Sequence, residues 1–144
     1  MRLYNHINEV LKIDPKLIKI NSHGKGYIEY ESVNYIGKES LDVYIEMLKE
    51  DEVSNEWEIA FHISGNYKGR FPDTTIKDTI QILNVLVSAV DDFIKHEKPE
   101  KFYFVEATAK SGGIKLYKKF AQYIIKQYPY ELSKYSNTFN FKRK

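Results

Sequence analysis

The chain has 144 residues, 42% hydrophobic and 29% charged, which is the size and balance of one globular domain and excludes wholesale disorder. It has no cysteine, which excludes disulfides, thiolate metal sites and cysteine nucleophiles. The net charge of +2 conceals a division: nine bases against one acid give +8 from Lys110 onward, and thirteen against nineteen give −6 before it.

Residues Met1–His6 carry no apolar run of the kind that opens a secretory leader. The most apolar stretch, Ile80 to Val90, is too short to span a bilayer and ends in Asp91 and Asp92. The expectation is a cytoplasmic protein, without membrane contact, in a host cell.

In chain order, Leu3, Ile7, Val10 and Leu11 recur at helical spacing until Asp14-Pro15, which predicts a short first helix. Gly26 to Ser32, with Tyr27, Ile28 and Tyr30, reads as a strand after a glycine turn. Leu41, Val43, Ile45 and Met47 alternate with Asp42, Tyr44 and Glu46, and Trp57, Ile59, Phe61 and Ile63 alternate with Glu58, Ala60 and His62. A period of two marks strands with one buried and one polar face. The short connection from Leu48 to Glu56 makes these two antiparallel neighbours.

The period then changes. Ile76, Ile80, Leu83, Val87, Val90 and Ile94 predict a long helix, capped by Asp73 or Thr74 and ending near Lys95 before Pro99. Phe102, Phe104 and Val105 predict a fourth strand. After Lys110-Ser111-Gly112-Gly113 comes a second helix, Ile114 to about Gln127, closed by Pro129. Thr138 to Phe141 reads as a last strand before a basic tail. The order is α-β-β-β-α-β-α-β. It predicts a single α+β domain over 1–144: a mainly antiparallel sheet of about four or five strands, with two long helices packed on one face.

Two places hold candidate binding chemistry. At the junction from Phe104 to Ile114, a strand runs through Lys110, Ser111, Gly112 and Gly113 into a helix bearing Lys115. Free N–H groups at a helix start attract anions, and small residues let a phosphate approach. A capping serine with turn-forming glycines accounts for the same residues, because the full phosphate-loop pattern is absent. The second place is the last helix and tail. Lys115, Lys118, Lys119, Gln122 and Lys126 share one helical face, opposite Ile114, Tyr117, Ala121, Ile124, Ile125 and Tyr128. Downstream, Tyr130, Tyr135, Phe139 and Phe141 interleave with Lys134, Lys142, Arg143 and Lys144. Lysines contact phosphates and exposed rings stack on unpaired bases, so a polyanion such as single-stranded nucleic acid is the partner this composition suits.

Other candidates are thinner. His6, His23, His62 and His96 show no metal-ligand spacing, so no metal and no cofactor is expected. His62-Ile63-Ser64 is half of the paired motif of two-histidine phosphoesterases, and no second half exists in the chain. Glu46, Glu58 and Glu106 lie on or beside strands, where they can converge on the open face of the sheet. Arg70 is an isolated mid-chain arginine suited to a carboxylate or phosphate.

Lys98-Pro99-Glu100-Lys101 before Phe102-Tyr103-Phe104, followed by Ile114-Lys115-Leu116-Tyr117-Lys118-Lys119-Phe120, resembles a pattern in small phage-encoded proteins of uncharacterised function. The resemblance covers the last third of the chain. It implies a phage or prophage accessory protein that binds a host protein or nucleic acid, as an inhibitor of host machinery or defence, without catalysis. The same strand–loop–helix is similar to the end of an acetyltransferase of the GNAT superfamily. That likeness implies a divergent acyltransferase with a pyrophosphate loop between its central strand and the next helix. Here Ser64 to Arg70 follows the central strand and departs from that family's glycine pattern. A virion structural or assembly protein is a third expectation.

Overall fold

The structure is a computed structural model that describes residues 11–64, 76–105 and 111–144, the side chains of 76 and 111–116 excepted. The expected helix over Leu3 to Leu11 falls almost wholly outside the described residues, as do the caps Asp73 and Thr74.

Seven strands form one mixed sheet: β1 (Ile18–Gly24), β2 (Tyr27–Ser32), β3 (Asp42–Lys49), β4 (Glu56–Ser64), β5 (Lys101–Val105), β6 (Tyr130–Tyr135) and β7 (Thr138–Arg143). Their order across the sheet is β1-β2-β3-β4-β5-β7-β6. Every neighbouring pair is antiparallel except β4 and β5. The α+β class holds, but the count of four or five strands is corrected to seven. The two strands that the pattern missed, β1 and β6, are the edges. An edge strand buries little, so its alternation is weak: only Ile18 of β1 is even partly buried, and β6 buries Tyr130 fully and Leu132 in part. The supposed basic tail is also strand, since β7 runs through Lys142 and Arg143.

Helix α1 (Ile76–Glu97) connects β4 to β5, and α2 (Ser111–Gln127) connects β5 to β6. Lys95 and His96 in the last turn of α1 suit the negative end of the helix dipole. The helix stops where Lys98 turns left-handed (φ 45°) and its N–H donates to the Ile94 carbonyl at 3.0 Å, with Pro99 blocking continuation. The second helix begins at Ser111 rather than Ile114, so Gly112 and Gly113 lie in its first turn and not in a loop.

Both helices cover one face of the sheet. Phe93 of α1 packs edge-on against Trp57 (5.1 Å between ring centres) and Phe102 (6.1 Å). Phe120 of α2 meets Phe61 and Phe104 at 5.4 and 5.7 Å. Beneath them lie the inward residues of the strands, including Ile28, Tyr30, Val43, Ile45, Met47, Ile59, Phe139 and Phe141, all buried. No described element covers the other face. Among the described residues, no helix is long and apolar enough to cross a membrane.

Candidate functional site

The parallel pair at the centre of the sheet is joined at one end and open at the other. β4 and β5 pair over three positions only, Glu56 with Lys101, Trp57 with Phe102 and Glu58 with Tyr103. Beyond them β4 continues through Ile59 to Ser64 and β5 through Phe104 and Val105, where the described part of that strand ends, and the two pair no further among the described residues. On its far side β4 stays in register with β3 as far as Ser64 opposite Asp42. Among the described residues, the edge of β4 from Ile59 to Ser64 has no strand partner on the β5 side; we call this stretch the notch.

The closed end is held by Asn55. Its side-chain amide donates to the carbonyls of Lys98 (2.9 Å) and Glu97 (3.3 Å), and its Oδ1 accepts the Trp57 indole N–H at 2.8 Å. Its main-chain carbonyl accepts from the Glu100 N–H at 3.0 Å. Arg143 ties the same corner, donating through Nη1 to the Lys98 carbonyl at 3.2 Å. At the open end, Phe61, Phe104, Tyr117 and Phe120 pack together on the helix side, with ring centres 5.4–6.2 Å apart. Phe104 and Phe120 are fully buried here, and Phe61 and Tyr117 are partly buried against them. Each strand leads toward a helix start at this end, so the carboxyl ends of two parallel strands and two helix N-termini lie on the same side of the sheet. In open sheets containing parallel strands, ligands bind in the crevice outside the strands' carboxyl ends.

Of the sequence-derived site residues, Lys110 lies outside the described residues. Ser111, Gly112, Gly113 and Lys115 are on the first turns of α2, at the open end of the notch. Lys118 and Lys126 are exposed and Lys119 half-buried on the outer side of α2. The buried face of that helix is Phe120, Ala121, Tyr123 and Ile124, while Ile125 is 37% exposed, contrary to its expected inward place. Arg143 is at the closed corner, a strand's length from the helix lysines, and already bonded to Lys98. Among the described residues, Lys118, Lys119 and Lys126 share α2 while Arg143 lies on β7, and the side chains of Ser111 and Lys115 lie outside the described residues.

The interleaved aromatics are mostly core. Tyr130, Phe139 and Phe141 are buried, Phe141 stacked on Phe102 at 4.7 Å. Tyr130 Oη donates to the buried Pro99 carbonyl at 2.5 Å. Tyr135 alone of that set is free to stack on a base, at 81% exposure. The Lys134 ammonium lies 5.0 Å from the centre of the Phe139 ring.

The acids expected on the open face are there. Glu46 and Glu58 project from it, and His62 Nε2 sits 3.9 Å from Glu46 Oε2. Glu106 and Arg70 lie outside the described residues. Sequence reading missed the tyrosines and further acids that share this face. Tyr44 Oη donates to Asp42 Oδ2 at 2.9 Å, and Asp42 Oδ1 accepts from Ser32 Oγ at 3.1 Å. The phenol of Tyr44 is pushed up to about 12, first by that bond to Asp42. Tyr103 Oη donates to Glu50 Oε1 at 2.5 Å, which also raises that phenol. Tyr27 is raised as well, by partial desolvation and then by Glu29 and Glu46. Their signal was available in the alternation of β2 and β3, which placed Glu29 and Glu31 outward with Glu46.

His23 and His96 pair elsewhere, with Glu97 at 3.9 Å and Asp92 at 3.2 Å. Among the described residues no group of three histidines and carboxylates is arranged to hold a metal ion. Compared with protein-family models, with curated proteins and with solved structures, the chain gives no match.

Proposed function

We propose that the chain is a divergent acyltransferase-like protein that takes a coenzyme A-type acyl donor in the notch between β4 and β5. One observation carries this reading: among the described residues the single parallel pair spans three positions, while β4 runs on to Ser64. An amide-bearing extended arm suits an unpaired strand edge, because each main-chain N–H and C=O left open there needs a partner. The partly exposed ring of Phe61 suits the aliphatic part of such an arm, and the helix starts suit its phosphates. The likeness to GNAT acetyltransferases expects a central strand, a loop and a helix in this order; β4 precedes α1 in the chain, and residues 65–75 between them lie outside the described residues. The altered glycine pattern of that loop argues for divergence, in donor preference or in loss of turnover.

A thermal-shift series with coenzyme A and acetyl-coenzyme A tests the proposal. A specific ligand raises apparent stability by mass action, about 2.7 kcal/mol at a hundredfold excess over Kd. No shift at millimolar coenzyme ends it.

A second reading rests on the charge of the last third. Lys118, Lys126, Lys142 and Lys144 are exposed, against the one acid Glu131. A phage accessory protein that binds a host nucleic acid or protein through these bases is consistent with that. With the aromatics buried, such binding is carried by phosphates rather than stacked bases. Its affinity therefore falls steeply with salt and is indifferent to sequence. Absence of binding to single-stranded DNA at low salt removes the nucleic-acid form of this reading.

A further inference from the structure

The face of the sheet opposite the helices is organised in rows, because strand pairing places outward residues side by side. In one row Ser22, Glu29, Glu46 and Ala60 are successive partners across β1 to β4. In the next, Tyr27, Leu48, Glu58 and Tyr103 follow one another from β2 to β5. In the third, Lys19, Glu31, Tyr44 and His62 do so from β1 to β4.

Glu29 stands directly opposite Glu46, an arrangement that costs free energy because like charges are then carried by side chains whose Cβ atoms lie about 5 Å apart. Glu58 is diagonal to Glu46, on the strand beyond. Glu31 is offset by Lys19 at 3.7 Å and by the Asn21 amide at 2.7 Å. Among the described residues nothing pairs with Glu29 or Glu58, and Glu46 has only His62. Leu48, 40% exposed, is the apolar centre of the patch. Ala60 lies opposite Glu46, between Glu58 and His62 on β4. The phenols of Tyr44 and Tyr103 are raised first by their hydrogen bonds to Asp42 and Glu50, and that of Tyr27 by desolvation and then by Glu29 and Glu46.

We infer that this face over β2–β4 is a docking surface for an arginine-rich segment of a partner protein. Charge complementarity selects the occupant. A guanidinium satisfies two carboxylates at once and lies flat on a phenol ring, and its aliphatic stem covers an exposed leucine. The carboxylates Glu29, Glu46 and Glu58 are the ionic contacts, with Tyr27 and Tyr44 as the flanking rings. A bound cation also relieves the Glu29–Glu46 repulsion, so binding draws on free energy that the empty face stores. Nucleic acid is repelled here. The inference stands apart from the acyl-donor reading, which uses the edge of β4 and not this face.

Fluorescence anisotropy of a labelled nona-arginine peptide against the full chain tests it, at 50 and 200 mM salt. Micromolar binding at 50 mM that weakens at least tenfold in the triple variant Glu29→Gln, Glu46→Gln, Glu58→Gln supports the assignment. The paired control Lys118→Gln, Lys126→Gln, on the opposite layer, leaves affinity the same or higher. The glutamine variant removes like-charge repulsion, so a thermal midpoint equal to or above that of the native chain shows that it is folded. No binding at 50 mM salt overturns the inference. Equal affinity for the triple variant and the native chain overturns it too, by placing the attraction elsewhere.

Discussion

The residue that best shows how the open face is built is Asp42. It is only 7% exposed and is held by the hydroxyls of Ser32 and Tyr44. Burial, then the neighbouring Glu31, pushes its carboxyl up, while Glu31 is pulled down, first by its hydrogen bond with Asp42. The two act oppositely on stability. A raised carboxyl contributes fully below its unfolded value of about 3.9, and the contribution is lost as pH rises through the folded value. A lowered one contributes above its unfolded value and is lost as pH falls. Asp42→Asn abolishes the first effect and keeps a donor for Glu31. The stability of the variant relative to the native chain therefore improves between pH 4 and pH 7, as read by urea denaturation at the two values. A relative decline over that range contradicts the assignment.

At the scale of elements, α1 is the keystone because its apolar stripe touches both halves of the sheet. Phe93 is fully buried and reaches Trp57 of β4 and Phe102 of β5 across the only parallel junction. Removing it deletes the ring contacts and leaves a cavity that two sheet strands and a helix cannot close. Phe93→Ala is expected to cost about 3–5 kcal/mol. The change also alters the emission of Trp57, the only tryptophan in the chain, so one fluorescence titration reads both the loss and its location. A cost below about 1 kcal/mol would show that the junction is held by other means, chiefly the hydrogen bonds of Asn55.

At the scale of the molecule, the notch raises the question whether β1–β4 and β5–β7 unfold separately. The two groups share three paired positions, but the aromatic core crosses the split through Phe61, Phe104 and Phe120 and through Phe93. Close-packed side chains couple more strongly than a short ladder does, so unfolding is expected in one step. Coincident denaturation curves from Trp57 fluorescence and from far-ultraviolet circular dichroism check this. Two separated curves would mean that the notch divides the domain.

What the chain determines by itself is local period. Ile45 and Met47 alternating with Tyr44 and Glu46, or Leu83, Val87 and Val90 at helical spacing, declare strand and helix because a buried face repeats every second or every third to fourth residue. From this the α+β class, the central strands and both long helices follow without coordinates, as does the outward place of Glu46, Glu58 and His62. The edge strands escape that logic, since neither face of β1 is well buried and half of β6 is polar on both sides. Partner choice escapes it entirely. That β5 lies parallel to β4, that β7 inserts between β5 and β6, that Glu29 faces Glu46, and that Tyr130, Phe139 and Phe141 are core rather than surface all depend on pairing between residues distant in sequence. Non-local pairing is decided by the global burial of the sheet, and no window of local sequence contains it. The charge division of the chain was legible from the start, but only the fold showed that Glu29, Glu46 and Glu58 lie on one open face.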